Sequence, residues 1–306
     1  MNFSSMAYFL VLAEERNFTK AAERLHLTQQ SLSGHIARME KDLGCQLIIR
    51  HTPLELTYAG ERLLSYAKDF DDKRRSMERE FYDISKEYKG LLRIGVAATR
   101  GQTIFPKVVE KFQETWPGIS IEFTAASNEE LCELLVKGKI DLAAADFPGN
   151  MAGLAFEDFY EEEIALVLSR DFLHKIYGEK AEETEKAFRE GNFSALKDCP
   201  FVLGSDEDID GRIGRNFLKK QGIKEMEVRA LSHNVGFLLS LSIAGAGACF
   251  CPLNLIRART GGRGSNLLIL PLGEEGTYPI RFGWKEKAYQ WSVIREFIGC
   301  AKNMLK

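Results

Sequence analysis

Between Phe18 and Gly44 the hydrophobic positions fall into two short helical rows that meet at a corner. Ala21, Ala22 and Leu25 make the first row; Leu32, Ile36, Met39 and Leu43 make the second, at spacings of four, three and four. Thr19 stands ahead of the first row and Thr28 ahead of the second, where a side-chain oxygen can cap free backbone N–H groups. The corner, His26-Leu27-Thr28, turns without glycine, and Gly44 closes the second row as a C-terminal cap. This layout predicts a helix-turn-helix, whose second helix enters the major groove of DNA. A compact helical hairpin with no DNA role would show the same pattern. Upstream, Met6, Phe9, Leu10 and Ala13 predict a helix over about 6–15, entered through Ser4 or Ser5.

Downstream, the run from Cys45 to Gly60 holds two short β-prone stretches around Thr52-Pro53, a two-stranded wing on which Arg50 and His51 are candidate phosphate contacts. From Tyr58 to about Tyr88 the apolar positions change to a heptad row of Leu63, Ala67, Phe70, Met77, Phe81, Ile84 and Tyr88, with Arg74 as its polar member. A helix this long leaves such a stripe wet unless a second chain covers it, so the row predicts dimerisation. Packing against its own body is the alternative.

After Gly90 strands and helices alternate. Strands are expected at 91–98, 119–126 and 140–147, with helices at 105–116 and 128–137 between them. A second run starts at 163–168 and has strands near 201–203, 227–231 and 248–251 and helices near 213–221 and 235–244. Strands at 267–271 and 280–284 and a helix over 289–305 complete it. Helical crossovers imply parallel sheets in an α/β fold, here two lobes with a cleft between them. Residues 175–197, charged and helical in character, read as a solvated face.

Composition changes this picture little. A 45% apolar, 28% charged chain of net charge -3 is an ordinary globular protein without a global basic field. Residues 1–89 carry 14 basic and 14 acidic side chains, so electrostatics neither supports nor excludes DNA binding. No signal peptide and no membrane span are recognisable, and a cytoplasmic location is expected. The six cysteines are scattered, which suits free buried thiols. Cys249 and Cys251, two apart on a strand, face one side but lack the second pair that a zinc site needs. No glycine fingerprint, phosphate loop, nucleophile elbow or HExxH helix occurs, so no enzyme, metal site or cofactor is expected.

In this order the chain resembles the LysR-type transcriptional regulators along nearly its whole length. The specific part is YFLVLAEERNFTKAAERLHLTQQSLSGHIARMEKDLGCQLIIR followed by LTYAGERLL. LLRIGVAAT, FPKVVEKFQETWPGISIEF, ELLVKGKIDLAAA and GAGACFCP are similar to parts of the family's sensor domain. The resemblance implies an N-terminal winged helix-turn-helix over 1–58 and a dimerising linker helix over 59–89. It also implies a two-lobed, periplasmic-binding-protein-like α/β effector domain over 90–306, with lobes of roughly 90–162 plus 270–306 and 163–269. It implies double-stranded DNA, a small-molecule co-inducer and further copies of the chain (dimers, and tetramers as dimers of dimers) as partners, with RNA polymerase as a further one.

Carried over by position, Gln29 matches the glutamine near the start of the recognition helix and Ser33 the serine one turn later. Thr28, His35, Arg38 and Arg50 complete the expected DNA-binding set, each good base contact contributing about 1–3 kcal/mol of discrimination. Two departures stand out. Gly34 occupies a position that is basic in many relatives, and the wing reads Thr52-Pro53-Leu54-Glu55 where the family is usually rich in arginine. Both remove cations, which predicts weak non-specific binding with a shallow salt slope.

For the effector, the expected contacts are Thr99, Arg100 and Gln102 after the first strand and Ser127 and Asn128 after the second. Gly204, Ser205 and His233 join them from the second lobe. Free N–H groups and hydroxyls there favour an anion or carboxylate, with Arg100 as counter-charge. Plain helix capping is the alternative for Thr99, Ser127 and Asn128. Two rival functions share parts of this pattern. A secreted solute-binding protein would have the sensor without the first 89 residues, and a redox sensor would need a reactive cysteine such as Cys199 with a resolving partner.

Overall fold

Phe9, Leu12, Ala21, Ala22, Leu32, Ile36 and Met39 meet in the core of the first of two units, Met1–Glu87 and Tyr88–Lys306. The structure, a computed structural model, describes residues 3–51, 53–261, 266–286 and 289–305. Helices α1 (Phe3–Glu15), α2 (Phe18–Arg24) and α3 (Gln29–Leu43) supply that core. α1 begins at Phe3, ahead of Ser4 and Ser5, and Ser5 is buried. The cap of α2 is Asn17 and not Thr19: its Oδ1 accepts from Thr19 N and Lys20 N at 2.9 and 3.1 Å, so Thr19 sits already in the first turn. Thr28 does cap α3, accepting from Ser31 N at 3.1 Å. The corner closes because His26 takes a left-handed φ of 54°, letting Leu27 N reach Ala22 O at 2.9 Å. Gly44 ends α3 at φ 69°, where a glycine carries no Cβ penalty.

β1 (Ile48–Ile49) and β2 (Glu55–Leu56) pair antiparallel as the wing; Thr52 of the expected turn lies outside the described residues. α4 (Tyr58–Ser85) is capped by Thr57. Gly60 is needed there, since a Cβ would overlap the Leu47 carbonyl. Lys86, with φ 54°, ends α4 before Tyr88, where the heptad row was expected to run out. The heptad row divides. Leu63 and Ala67 are buried in this unit, and Phe70 meets Phe3 edge-on at 6.4 Å. Met77, Phe81 and Ile84 stay 53%, 63% and 69% exposed, while Arg74 is tied to Asp71 and Glu78 of its own helix.

The second unit begins with β3 (Gly90–Val96), α5 (Ala98–Thr103), α6 (Phe105–Thr115), β4 (Ile119–Ala125), α7 (Asn128–Val136) and β5 (Leu142–Ala145). β3 pairs parallel with both β4 and β5, as helical crossovers require. β6 (Leu154–Ser169) then breaks the parallel scheme. Residues 154–163 pair antiparallel with β11 (Thr277–Lys285), and residues 164–169 pair with β9 (Cys249–Pro252) and β10 (Leu267–Pro271). The expected all-parallel sheets are therefore mixed, because β6 and β11 pass between neighbours without a helical crossover. Between them come α8 (Arg170–Tyr177), α9 (Ala181–Arg189), β7 (Phe201–Leu203), α10 (Ile209–Lys220), β8 (Val228–Leu231), α11 (Val235–Ile243) and α12 (Leu253–Thr260). β7 and β8 pair parallel, and the last helix, α13 (Ser292–Met304), begins three residues later than expected.

Helices cover both sheet faces of each lobe. Phe105, Phe112, Phe282 and Phe297 fill one side of the first, Leu131, Leu135 and Phe147 the other. Phe188, Phe201, Phe217 and Phe250 fill one side of the second, and Val235, Leu238, Cys249 and Cys251 the other. Residues 175–197 are more than a solvated face. Ala181, Phe188 and Leu196 go into that core, and Tyr177 donates to Ala195 O at 2.8 Å. Tyr278 packs against the cores of both lobes.

Candidate functional site

Leu32, Ile36 and Met39 anchor α3 to its unit, which turns Gln30, Gly34, Ala37 and Lys41 outward at ~100° per residue. Gln29 is exposed at the N-terminal end, and Ser33 and Arg38 flank the outer ridge on opposite sides. Gln30, Ala37 and Lys41 escaped the sequence reading; extending the burial period of Leu32 and Ile36 around the helix would have found them. A Cβ at Gly34 would meet nothing within 4 Å, so no packing requires glycine there. His35 lies on the inner flank, half-buried, with its ring edge-on to Tyr8 at 4.9 Å. Arg50 is held by Glu40 of α3 at 3.6 Å and stacks on Phe18 at 5.8 Å. His51 is likewise engaged, with Pro53 O at 2.6 Å and Glu55 at 3.6 Å. Arg50 and His51 of the wing thus each face an acid, and Arg38 and Lys41 are the α3 cations with no ion pair among the described residues.

In the second unit the carboxyl ends of β3 and β4 lie side by side: Val96 is opposite Ala125, and Ala126 N donates to Val96 O at 3.2 Å. This brings α5, with Thr99, Arg100 and Gln102, next to the start of α7. Gln102 is exposed. Thr99 O accepts from Thr103 Oγ1 at 2.9 Å. Ser127 is occupied by a capping box with Glu130, donating to its carboxylate at 2.9 Å through both N and Oγ. Asn128 Oδ1 is buried with no hydrogen-bond partner.

Arg100 is 4% exposed and already has a counter-ion: its Nε donates to Glu162 Oε2 at 3.2 Å. Glu162, 3% exposed on β6, also accepts from Tyr160 Oη at 3.0 Å and Asn254 Nδ2 at 3.2 Å. Burial disfavours the Arg100 charge, but Tyr278 and Glu162 outweigh it and hold the guanidinium above its usual range. Burial raises both the Tyr160 and Tyr278 phenols. Arg100 Nη1 remains buried and without a partner. The expected free counter-charge is therefore a member of a buried cluster from α5, β6, β11 and α12, with one donor to spare. Glu162 was hidden in the run Glu161-Glu162-Glu163; the strand alternation Tyr160, Glu162, Ile164 was the signal that puts it inside.

Gly204, Ser205 and His233 form a second group. Asp208 Oδ2 accepts from Ser205 N at 3.1 Å and lies 3.0 Å from His233 Nδ1. Arg215 Nη1 donates to Gly204 O at 2.8 Å. α10 comes so close to this loop that a Cβ on Gly211 would overlap the Ser205 carbonyl. Asp210, half-buried in the first turn of α10, was missed. Burial, then Asp208, pushes its carboxyl up to about 6, and no side chain hydrogen-bonds to it among the described residues. The cysteines are all free. Cys199 is buried, and its thiol is pushed up to about 12 by that burial, so it is a poor redox nucleophile. Among the described residues no helix is long and apolar enough to cross a membrane.

A helix-turn-helix with an outward-turned second helix, followed by two α/β lobes, defines a DNA-binding regulator with a sensor domain. Residues 3–61 match the bacterial regulatory helix-turn-helix protein model of the lysR family, and residues 85–306 match the LysR substrate binding domain. The chain belongs to the LysR family of transcriptional regulators, and its matched relatives are regulators, not enzymes. It is 27% identical over 265 residues to YcgK, an HTH-type transcriptional regulator of Bacillus subtilis (strain 168), covering 84% of this chain and 81% of YcgK. The solved structure of full-length CbnR with its target DNA is similar in fold (TM-score 0.64, 21% identity, 99% and 100% of the two chains). So is full-length OxyR from Pseudomonas aeruginosa (TM-score 0.69, 17% identity, 99% and 95%).

Proposed function

We propose that α3 reads operator DNA through Gln29, Ser33 and Arg38, with Thr28 fixing its N-terminus and Arg50 and His35 shaping its flanks. The functional parts in this reading are the reader over 1–58, the linker over 59–89 and the effector domain over 90–306. Met77, Phe81 and Ile84, left exposed on α4, support pairing of two chains along the later half of that helix. Such dimers would meet two half-sites about one helical turn or a multiple of it apart, with tetramers as dimers of dimers and RNA polymerase as a further partner in the cytoplasm.

The effector is a small molecule with an anionic or carboxylate end, bound at the seam of the lobes, where closure favours one assembly over another. The observation that carries this is Arg100 Nη1, a buried cationic donor without a partner, beside the converging starts of α5 and α7. An unmet buried charge-bearing donor is costly, and a bound oxygen removes that cost. Footprinting of the full-length chain on a selected operator, with and without the effector found by thermal shift, is expected to show altered protection. Identical footprints would refute control through the seam.

A further inference from the structure

Arg50, just past β1, stands where the wing meets α2 and α3, and Glu40 and Phe18 hold it there. Glu40, near the end of α3, is the anchor. Its Oε1 accepts from Leu47 N at 2.9 Å, and its Oε2 lies 3.6 Å from Arg50 Nη2. With only 16% of its side chain exposed, Glu40 turns both carboxylate oxygens to donors of its own unit. The ring of Phe18, the first residue of α2, packs on the core and lies 5.8 Å from the Arg50 guanidinium carbon, within cation–π range. Nε and Nη1 of Arg50 have no partner among the described residues, and half of its side chain (51%) is open to solvent. The guanidinium is thus fixed along one edge and one face, with the other edge free.

The place of this free edge matters for DNA. Glu40 follows Ser33 by about two helical turns, which puts Arg50 on the Ser33 flank of α3, opposite Arg38. A recognition helix in the major groove has a phosphate backbone on either side, and the helix before it crosses one of them. Arg38 serves one flank, and Arg50, beside the start of α2, serves the other. An unrestrained arginine gives up rotamer freedom on meeting a phosphate; a fork that is already set gives up less and keeps its paired donors aligned. We propose that Glu40 and Phe18 are positioning residues for DNA binding, which hold Arg50 as a preset fork for one backbone phosphate on the Ser33 side of α3. This rests on the reading of α3 as the helix that enters the groove.

The test titrates the full-length chain, over a range of salt, with a random-sequence duplex and with the operator that the chain selects. Arg50→Ala is expected to weaken binding to both by about tenfold or more and to flatten the plot of log affinity against log salt by about 0.9. Arg50→Lys keeps the slope, because the charge stays, but loses affinity with the fork. Glu40→Gln retains an acceptor for Leu47 N, Phe18→Leu retains an apolar side chain on the core, and both keep the slope. In either background the loss caused by Arg50→Lys is expected to shrink to within about twofold, since the fork is no longer set. Circular dichroism melts establish that every variant is folded. A Glu40→Gln chain that binds more tightly, with Arg50→Ala still costing as much in it, would make Glu40 a brake on the cation and overturn the proposal. An Arg50→Lys loss that persists undiminished in both backgrounds also overturns it, because a purely structural role gives that result. An unchanged slope in Arg50→Ala takes Arg50 off the phosphate and overturns it too. If the chain selects no operator, the reading of α3 fails, and the random-sequence duplex still decides the role of Arg50.

Discussion

Arg100 and Glu162 meet with 5% and 3% of their side-chain surfaces exposed, and their energetic coupling can be measured. Arg100→Met removes the guanidinium and leaves a carboxylate in a site that water does not reach. Breaking a buried pair in this way costs about 3–5 kcal/mol. Glu162 keeps the hydrogen bonds from Tyr160 and Asn254, which places the expected loss at the lower end, about 3 kcal/mol. For a unit of this size that is a fall of about 6–12 °C in melting temperature. Glu162→Gln strands the cation and is expected to cost a similar amount. The double variant strands neither charge and is expected to cost no more than either single, a coupling of about 3 kcal/mol. Calorimetric unfolding of the full-length chain, following the transition of the Tyr88–Lys306 unit, supplies all four corners of the cycle. A double variant whose loss equals the sum of the singles would refute the picture of a mutually dependent buried pair.

Three further outcomes are expected. Asp210 binds its proton more tightly folded than unfolded, since its carboxyl is pushed up to about 6 from an ordinary 3.8. Stability is therefore lost as pH rises from about 4 through about 6, and Asp210→Asn should stabilise by about 1–2 kcal/mol at pH 7.5, with the gain vanishing near pH 4 in urea titrations. Gly34→Lys places a cation on the outer ridge of α3, where no neighbour obstructs it. It should tighten non-specific DNA binding and steepen the plot of log affinity against log salt by about 0.9, and an unchanged slope would mean that this ridge does not face phosphate. Met77→Glu with Phe81→Glu should dissociate paired chains in analytical ultracentrifugation without lowering the stability of the first unit, because neither side chain belongs to its core. An unchanged mass would mean that another surface holds the chains together.

The helix-turn-helix was legible because its apolar positions repeat with a clean helical period and its caps are local: Thr28 and Gly44 act where they stand. Asn17 displaced Thr19 because the cap depends on which residue takes the extended backbone, a choice that the letters Asn-Phe-Thr do not reveal. The first half of β6 went unread because Glu157, Asp158, Glu161, Glu162 and Glu163 swamp its alternation, although β11 covers one edge of that strand. With it went the mixed sheets, which depend on strands far apart in sequence. The proposed effector positions after β3 and β4 were legible as loops beyond strand ends. Their chemistry was not: Arg100 meets Glu162 across 62 positions of chain, and Asp210 stands two residues beyond an acidic loop that does face water.

The central claim, that α3 reads a specific DNA sequence, is tested most directly by selecting duplexes from a random library with the full-length chain and, in parallel, with Gln29→Ala and Arg38→Ala. The expected result is convergence by the unsubstituted chain on paired half-sites about one helical turn or a multiple of it apart, with preference relaxed at particular base positions in each variant. A pool that shows no sequence enrichment, or one that both variants reproduce unchanged, would contradict the claim.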